Sequence, residues 1–187
     1  TANNHDATTT SNPAVVDGIF GKARKFDGVD DYLSLLDSAD WDLGTGDLTI
    51  DAWLYVNALP TNPVHFISGD FGNDNWAVAL QDDGDISFTR NTIDGVNTTN
   101  QPVSIGAWHH VSVVRIGGTV DIYVNGMSKF SGTYSPDLVA EGLWIGYGGS
   151  NDYLNGSLDE VRIMKGYGMS ADEVAEAYRL GANHKIS

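Results

Sequence analysis

The sequence predicts an all-β protein, a two-sheet antiparallel sandwich of the jelly-roll type with one short helix at its C-terminal end. Two observations carry this. Apolar residues alternate with polar ones in run after run, the two-residue period that turns one face of a strand toward a core. The 187 residues also hold 21 Asp, 14 Asn and 22 Gly against only 4 Glu, a composition of turns rather than helices. The length suits one domain with a sizeable core, and residues 1–187 read as a single unit.

The elements follow in order. Residues 31–36 (Asp-Tyr-Leu-Ser-Leu-Leu) form the first alternating run, and a helical turn is expected between Ser38 and Trp41. The clearest strand is 47–56, where Leu48, Ile50, Ala52, Leu54 and Val56 share one face and Trp53 and Tyr55 the other. Strands at 64–68, 76–81, 85–90, 108–116, 119–125, 143–147 and 157–164 repeat the pattern. Asp-Gly or Asn-Gly pairs at 83–84, 94–95, 125–126 and 155–156 offer the positive φ angles of tight hairpins. The helix is marked by a Ser170/Glu173 capping box, a Met169/Val174 hydrophobic staple and Gly181, expected just past its last turn.

Charge and composition remove several functions. With 25 acidic residues against 10 basic ones the formal charge is −15, which gives no attraction to phosphate backbones or anionic lipid. Nucleic acid is excluded as a partner, and a neutral or cationic one is expected. The chain has no cysteine, which removes disulfide scaffolds, thiol nucleophiles and cysteine zinc sites. No run approaches the roughly 20 apolar residues of a membrane span, so no membrane insertion is expected.

Six segments carry a family resemblance. Residues 21–32, Gly-Lys-Ala-Arg-Lys-Phe-Asp-Gly-Val-Asp-Asp-Tyr, resemble the opening of laminin-G-like domains of the concanavalin A-like lectin/glucanase superfamily. Leu48–Trp53, Gly106–Val111, Asp121–Gly126, Gly156–Ile163 and Met169–Val174 are similar to that family's later motifs, in the same order. The resemblance implies a two-sheet concanavalin A-like jelly roll, most often a non-catalytic module that binds glycans or proteins at cell surfaces, frequently with calcium. The calcium ligands it implies are Asp27, the carbonyl of Gly28 and Asp159, joining the first and last strands.

The candidate sites divide by chemistry. The superfamily also contains glycoside hydrolases, which need two carboxylates about 5 Å or about 6.5–9.5 Å apart, and no Glu-x-Asp-x-(x)-Glu strand is present. Asp47 and Asp51 share a strand face without a Glu partner; one is expected to pair with an amide or a basic group and the other to face water. His109 and His110 are adjacent on a strand, so they point to opposite faces and cannot share one metal ion. For ligand binding, two loops combine oxygen donors with an aromatic ring: Asp70, Asn73, Asp74 and Asn75 with Trp76, and Asn151 and Asp152 with Tyr153. Asp82 and Asp83 are expected on the same rim. These residues are also ordinary turn formers, and Trp76 could equally open a core-facing strand.

The resulting expectation is a non-catalytic, calcium-assisted carbohydrate-binding or adhesion module of an extracellular, multidomain protein whose partner is a glycan or cell-surface glycoconjugate. The lack of cysteine points to a bacterial or phage-associated surface protein. A structural or protein-binding spacer of a large adhesin is the alternative, with a glycoside hydrolase behind it.

Overall fold

A computed structural model describes residues 6–69, 75–90, 94–149 and 151–184. One sheet runs, side by side, β1 (Thr8–Thr10), β4 (Tyr32–Leu35), β13 (Leu143–Ile145), β6 (Val64–Ser68), β7 (Trp76–Leu80), β8 (Ile86–Arg90) and β9 (Asp94–Asn97). The other runs β12 (Met127–Thr133), β11 (Thr119–Val124), β10 (Trp108–Ile116), β5 (Leu48–Val56), β14 (Asn155–Lys165), β3 (Lys22–Asp27) and β2 (Ala14–Asp17). All pairings between these strands are antiparallel. The two-sheet sandwich expected from the alternation is therefore what the chain forms.

The inward faces build the core. Leu48, Ile50, Leu54 and Val56 of β5, with Val111, Val113, Val120 and Ile122 of its neighbours, meet Phe66, Val78, Leu80, Ile86 and Phe88 of the first sheet. Each such side chain contributes roughly 1.5–3 kcal/mol on burial, and a one-residue slip would turn the whole set to water, so the register is fixed.

The outward face of the second sheet is covered by α1 (Ala171–His184). The capping box is present, with Ser170 N donating to Glu173 Oε2 at 2.7 Å and Glu173 N to Ser170 Oγ at 3.3 Å. Met169 and Val174 are buried with Val114 and Tyr123 in a second apolar cluster. Gly181 departs from expectation: the helix continues to His184, so this glycine stands inside it rather than beyond its end. The reason is tertiary, because a side chain at 181 would run into the Trp53 indole, which lies 4% exposed beneath the helix. Gly181→Leu should thus destabilise the protein by about 1–2 kcal/mol, overpacking outweighing the gain in helix propensity. Thermal unfolding read by tryptophan fluorescence checks this.

The turns divide. Asn125 and Gly126 both take positive φ, 53° and 74°, and join β11 to β12 as a tight hairpin, and Asp83-Gly84 turns between β7 and β8. Asp94-Gly95 and Asn155-Gly156 lie instead at the starts of strands β9 and β14. There the glycines serve close approach, since a side chain at 95 would meet Thr89 and one at 156 the Tyr55 carbonyl oxygen. Residues 38–41 form a turn, with Trp41 N on Ser38 O at 3.0 Å, and not a helix.

Candidate functional site

One end of the sandwich gathers most of the unexplained chemistry. The segment after β13 folds back over β6: Ser68 Oγ donates to Tyr147 O at 2.9 Å, and Leu154 N to Gly146 O at 3.0 Å. Glycine is required here, because a side chain at 148 would strike His65. Asp152 anchors the loop, its Oδ2 lying 2.7 Å from His65 Nδ1 and accepting from His65 N at 3.1 Å. A cleft of ≈ 260 Å³ opens between this loop and residues 58–62, walled by Gly28, Pro60, Asn62, Asn151, Tyr153 and Asn155. Its size is near the lower end of small-ligand sites, about 300–1,000 Å³.

Tyr153 leads from the cleft to a group of aromatic rings. It stacks on Tyr147 at 4.5 Å and 19°, and Tyr147 in turn meets Tyr32 at 4.9 Å and Trp144 at 4.8 Å. Leu33, Leu35, Leu143 and Ile145 pack toward the core, so alternation turns Tyr32 and Trp144 outward. All four rings are half-buried. Burial first, and then the neighbouring Tyr153, Tyr32 and Asp152, raise the Tyr147 hydroxyl above its ordinary pKa. It therefore stays a neutral hydrogen-bonding group.

An acidic corner adjoins the cleft. Carboxylate oxygens of Asp27, Asp30 and Asp31 lie within 4.8 Å of one another. Asp27 Oδ1 accepts from Val29 N at 2.8 Å and Asp30 N at 3.3 Å, while Asp31 Oδ2 accepts from Asp27 N at 3.2 Å. The Val29 amide leads in holding the Asp27 carboxyl below its ordinary range; burial, followed by the Asp27 and Asp30 charges, pushes Asp31 up. No basic side chain pairs with the three among the described residues. Gly28 belongs to both corner and cleft. Its φ of 80° and the Asn155 side chain against it exclude a larger residue.

Asp159 is not brought to this corner, so the expected set of Asp27, Gly28 and Asp159 is not assembled. Asn155 stands opposite Asp27 and Leu158 opposite Arg24, which leaves Asp159 about 13 Å further along the strand. Its oxygens are engaged by amides instead: Oδ2 accepts from Ile19 N at 2.7 Å and Phe20 N at 2.9 Å, Oδ1 from Glu160 N at 2.9 Å. Asp159 thus fixes the turn between β2 and β3.

The other expected ligand residues separate. Asp70, Asn73 and Asp74 lie outside the described residues. Asn75 is buried and Trp76 is 0% exposed, its Nε1 donating to Trp41 O at 2.9 Å. Trp76 is therefore a core residue, because the strand alternation begins on its inward side. Asp82 and Asp83 sit at the β7–β8 turn, where Asp83 Oδ1 accepts from Asp85 N at 3.0 Å, and do not line the cleft. Asn151, Asp152 and Tyr153 do. The residues not anticipated are Asp30, Asp31, Tyr32, Asn62, Trp144 and Tyr147. The outward position of Trp144 between Leu143 and Ile145 was a readable signal; the return of Tyr147 onto Tyr32 was not.

The histidines point to opposite faces, as their adjacency requires. His109 Nε2 meets Ser104 O at 3.1 Å, and its Nδ1 meets Asn125 Nδ2 at 3.1 Å. His110 Nε2 lies 2.7 Å from Asp51 Oδ1, which Ser112 also engages, while Arg162 takes Asp51 Oδ2. Burial would raise the Asp51 carboxyl, yet the hydrogen bonds from His110 and Ser112 and the His110 and Arg162 charges outweigh it, so its pKa lies below the ordinary value. Asp47 Oδ1 accepts from Gly117 N at 2.8 Å. Both carboxylates thus have structural partners.

Comparison with known proteins gives a family and a fold. Residues 27–175 match the family described as the Concanavalin A-like lectin/glucanases superfamily, and no curated protein matches the sequence. Among solved structures, the binding domain of Paraclostridial Mosquitocidal Protein 1 is similar at 17% identity and TM-score 0.78, over 95% of this chain and 48% of that one. Domain 4 of the GH43 extracellular arabinanase AbnA from Geobacillus stearothermophilus, solved with arabinotriose, is similar at 22% and 0.73, over 92% of this chain and 86% of that one. The binding domain of botulinum neurotoxin DC, solved with rat synaptotagmin II, is similar at 13% and 0.77, over 95% and 47%. This chain spans about half the length of the toxin binding domains it matches. At these identities the likeness is one of fold.

Proposed function

The chain belongs to the concanavalin A-like lectin/glucanase superfamily, and we propose that it acts as a non-catalytic, calcium-assisted carbohydrate-binding module of an extracellular, multidomain protein. The observation that carries this reading is the continuity of the Tyr147–Tyr153 ring pair with a cleft edged by Asn62, Asn151 and Asn155. Amide groups can exchange hydrogen bonds with sugar hydroxyls, and a tyrosine face can cover the apolar side of a pyranose or furanose ring. That domain 4 of the arabinanase was solved with a trisaccharide adds support from a neighbour of the same fold. With a formal charge of −15 and Asp27, Asp30 and Asp31 beside the cleft, the ligand is a neutral glycan rather than a sulfated or sialylated one.

The donor chemistry of the corner suits calcium, which takes hard oxygens from carboxylates and loop carbonyls. Asp27, Asp30 and Asp31 would hold the ion, and its charge would offset their mutual repulsion and steady the loop that carries Gly28 into the cleft.

A glycan array run with and without chelator tests the proposal. Calcium-dependent hits on neutral glycans are expected, with acidic glycans blank. A wholly blank array together with calcium-dependent melting would overturn the sugar reading in favour of a spacer. At a calcium concentration 100 times the dissociation constant the ion contributes about 2.7 kcal/mol, so chelation should lower Tm by roughly 5–10 °C. Asp31→Asn should remove most of that dependence in the same melt.

A further inference from the structure

Half of β14 is a strand edge with nothing paired to it. β3 pairs with β14 only from Asn155 to Leu158, and a bulge follows between Asp159 and Arg162, with Glu160 at φ 50°. Past the bulge, β14 keeps β5 on one flank, and no strand pairs with the other among the described residues. The register fixes which backbone groups this leaves open. Gly166 N donates to Asp47 O at 2.8 Å, one step beyond the pair of Lys165 and Leu48. Antiparallel partners exchange their bonds at every second residue, so Met164 and Arg162 also turn N–H and C=O toward β5, opposite Thr49 and Asp51. Ile163 and Lys165 therefore turn theirs to the vacant flank, where no group bonds them among the described residues.

The side chains along this edge alternate between two clefts. Val161 and Ile163, half-buried, line an open cleft of ≈ 480 Å³ between the sheets, faced by Leu35, Leu143 and Ile145. Glu160 and Arg162 line a second of ≈ 450 Å³ beside the helix, with Phe20 and Trp53. Arg162 is already paired with Asp51. The exposed Glu160 carboxylate has no hydrogen-bond or ion-pair partner among the described residues. A strand laid along β14 would send successive side chains to opposite faces, one set into the apolar cleft and the other toward Glu160. The edge thus names its occupant: an extended backbone can exchange bonds with Ile163 and Lys165 at their spacing, and an aliphatic tail cannot.

We propose that this flank accepts an extended, basic segment of a partner protein as an added strand, antiparallel to β14, with apolar residues turned between the sheets and Lys or Arg side chains turned toward Glu160. Main-chain bonds to Ile163 and Lys165 supply affinity, and the two clefts supply the preference for alternating side chains. Charge selects the partner. At −15 the chain repels a second copy of itself and any acidic segment, and attracts a basic one. This site is separate from the sandwich-end cleft and does not rest on the glycan reading.

Titration of the unmodified protein with acetyl-Lys-Val-Lys-Val-Lys-Val-Lys-amide at low salt, followed by amide NMR and hydrogen exchange, tests it. The Ile163 and Lys165 amides should exchange freely before titration and slow at least about ten-fold at saturation, while those of Arg162 and Met164, already held by β5, change little. In an antiparallel pair the Val amides of the peptide face β14 and the Lys amides face water. N-methylation of the Val amides should therefore weaken binding at least about ten-fold, and N-methylation of the Lys amides should not. Replacing every Lys of the peptide by Glu should also cost at least about ten-fold. Several results would overturn the assignment: Ile163 and Lys165 amides already protected in the free monomer, no saturable binding, equal affinity for the Glu peptide, or unchanged affinity after N-methylation of the Val amides. Self-association without peptide that protects the same two amides would give the flank to a second copy instead.

Discussion

Asp51→Ala is expected to lower Tm by roughly 6–20 °C. Asp51 is 1% exposed and holds three side chains at once, from His110 and Ser112 of β10 and Arg162 of β14. Removing the carboxylate leaves the buried His110 imidazole and the Ser112 hydroxyl without their acceptor, and breaking a buried charged network of this kind costs about 3–5 kcal/mol. At about 2–4 °C per kcal/mol for a chain of this size, the stated range follows. The same network sets an acid limit. Because the Asp51 carboxyl is held below its ordinary value of 3.8, the folded state binds its proton less readily than the unfolded chain does. Its stabilisation is full above pH 3.8 and is lost as pH falls through the lowered folded value. Melts between pH 7 and pH 3 should therefore show the variant losing less stability than the parent at the acid end. Equal acid sensitivity would mean that other carboxylates set the limit.

Tyr147→Ala should weaken glycan binding about ten-fold to thirty-fold. Tyr147 is the ring on which Tyr153, Tyr32 and Trp144 converge, so its loss removes one stacking face and the support of Tyr153 at the cleft. Aromatic contacts contribute about 0.5–1.5 kcal/mol each beyond their area, and 1.4 kcal/mol is a factor of ten. Asp82→Ala and Asp83→Ala, confined to the β7–β8 turn, should leave affinity unchanged. Isothermal titration with a glycan identified on the array separates the outcomes; wild-type affinity in Tyr147→Ala, or loss in the turn variants, would move the site away from the ring group.

Much of the scaffold was legible because it rests on local rules. The alternation in 47–56 is the inward and outward pattern of β5, and the Ser170/Glu173 box closes as written. What escaped notice was short or polar: β1, β2, β3, β9 and β12 lack a clean apolar alternation, since they lie at or next to sheet edges where one face meets water. The site was legible only in part. Tyr153 and Asn151 were found from a glycine-rich loop, whereas Trp76, of equal promise in sequence, turned inward, and Asp159, paired with Asp27 by resemblance, took three backbone amides instead.

The sequence by itself determined the fold class, its family and the sign of the chain's charge, because periodicity, caps and composition are properties of neighbours along the chain. The tertiary structure alone decided that Gly181 clears Trp53 and that Tyr147 joins Tyr32 and Tyr153. Those contacts join residues up to 128 positions apart, as Trp53 and Gly181 are. Distances of that kind are set by strand register and sheet order, which no local pattern records.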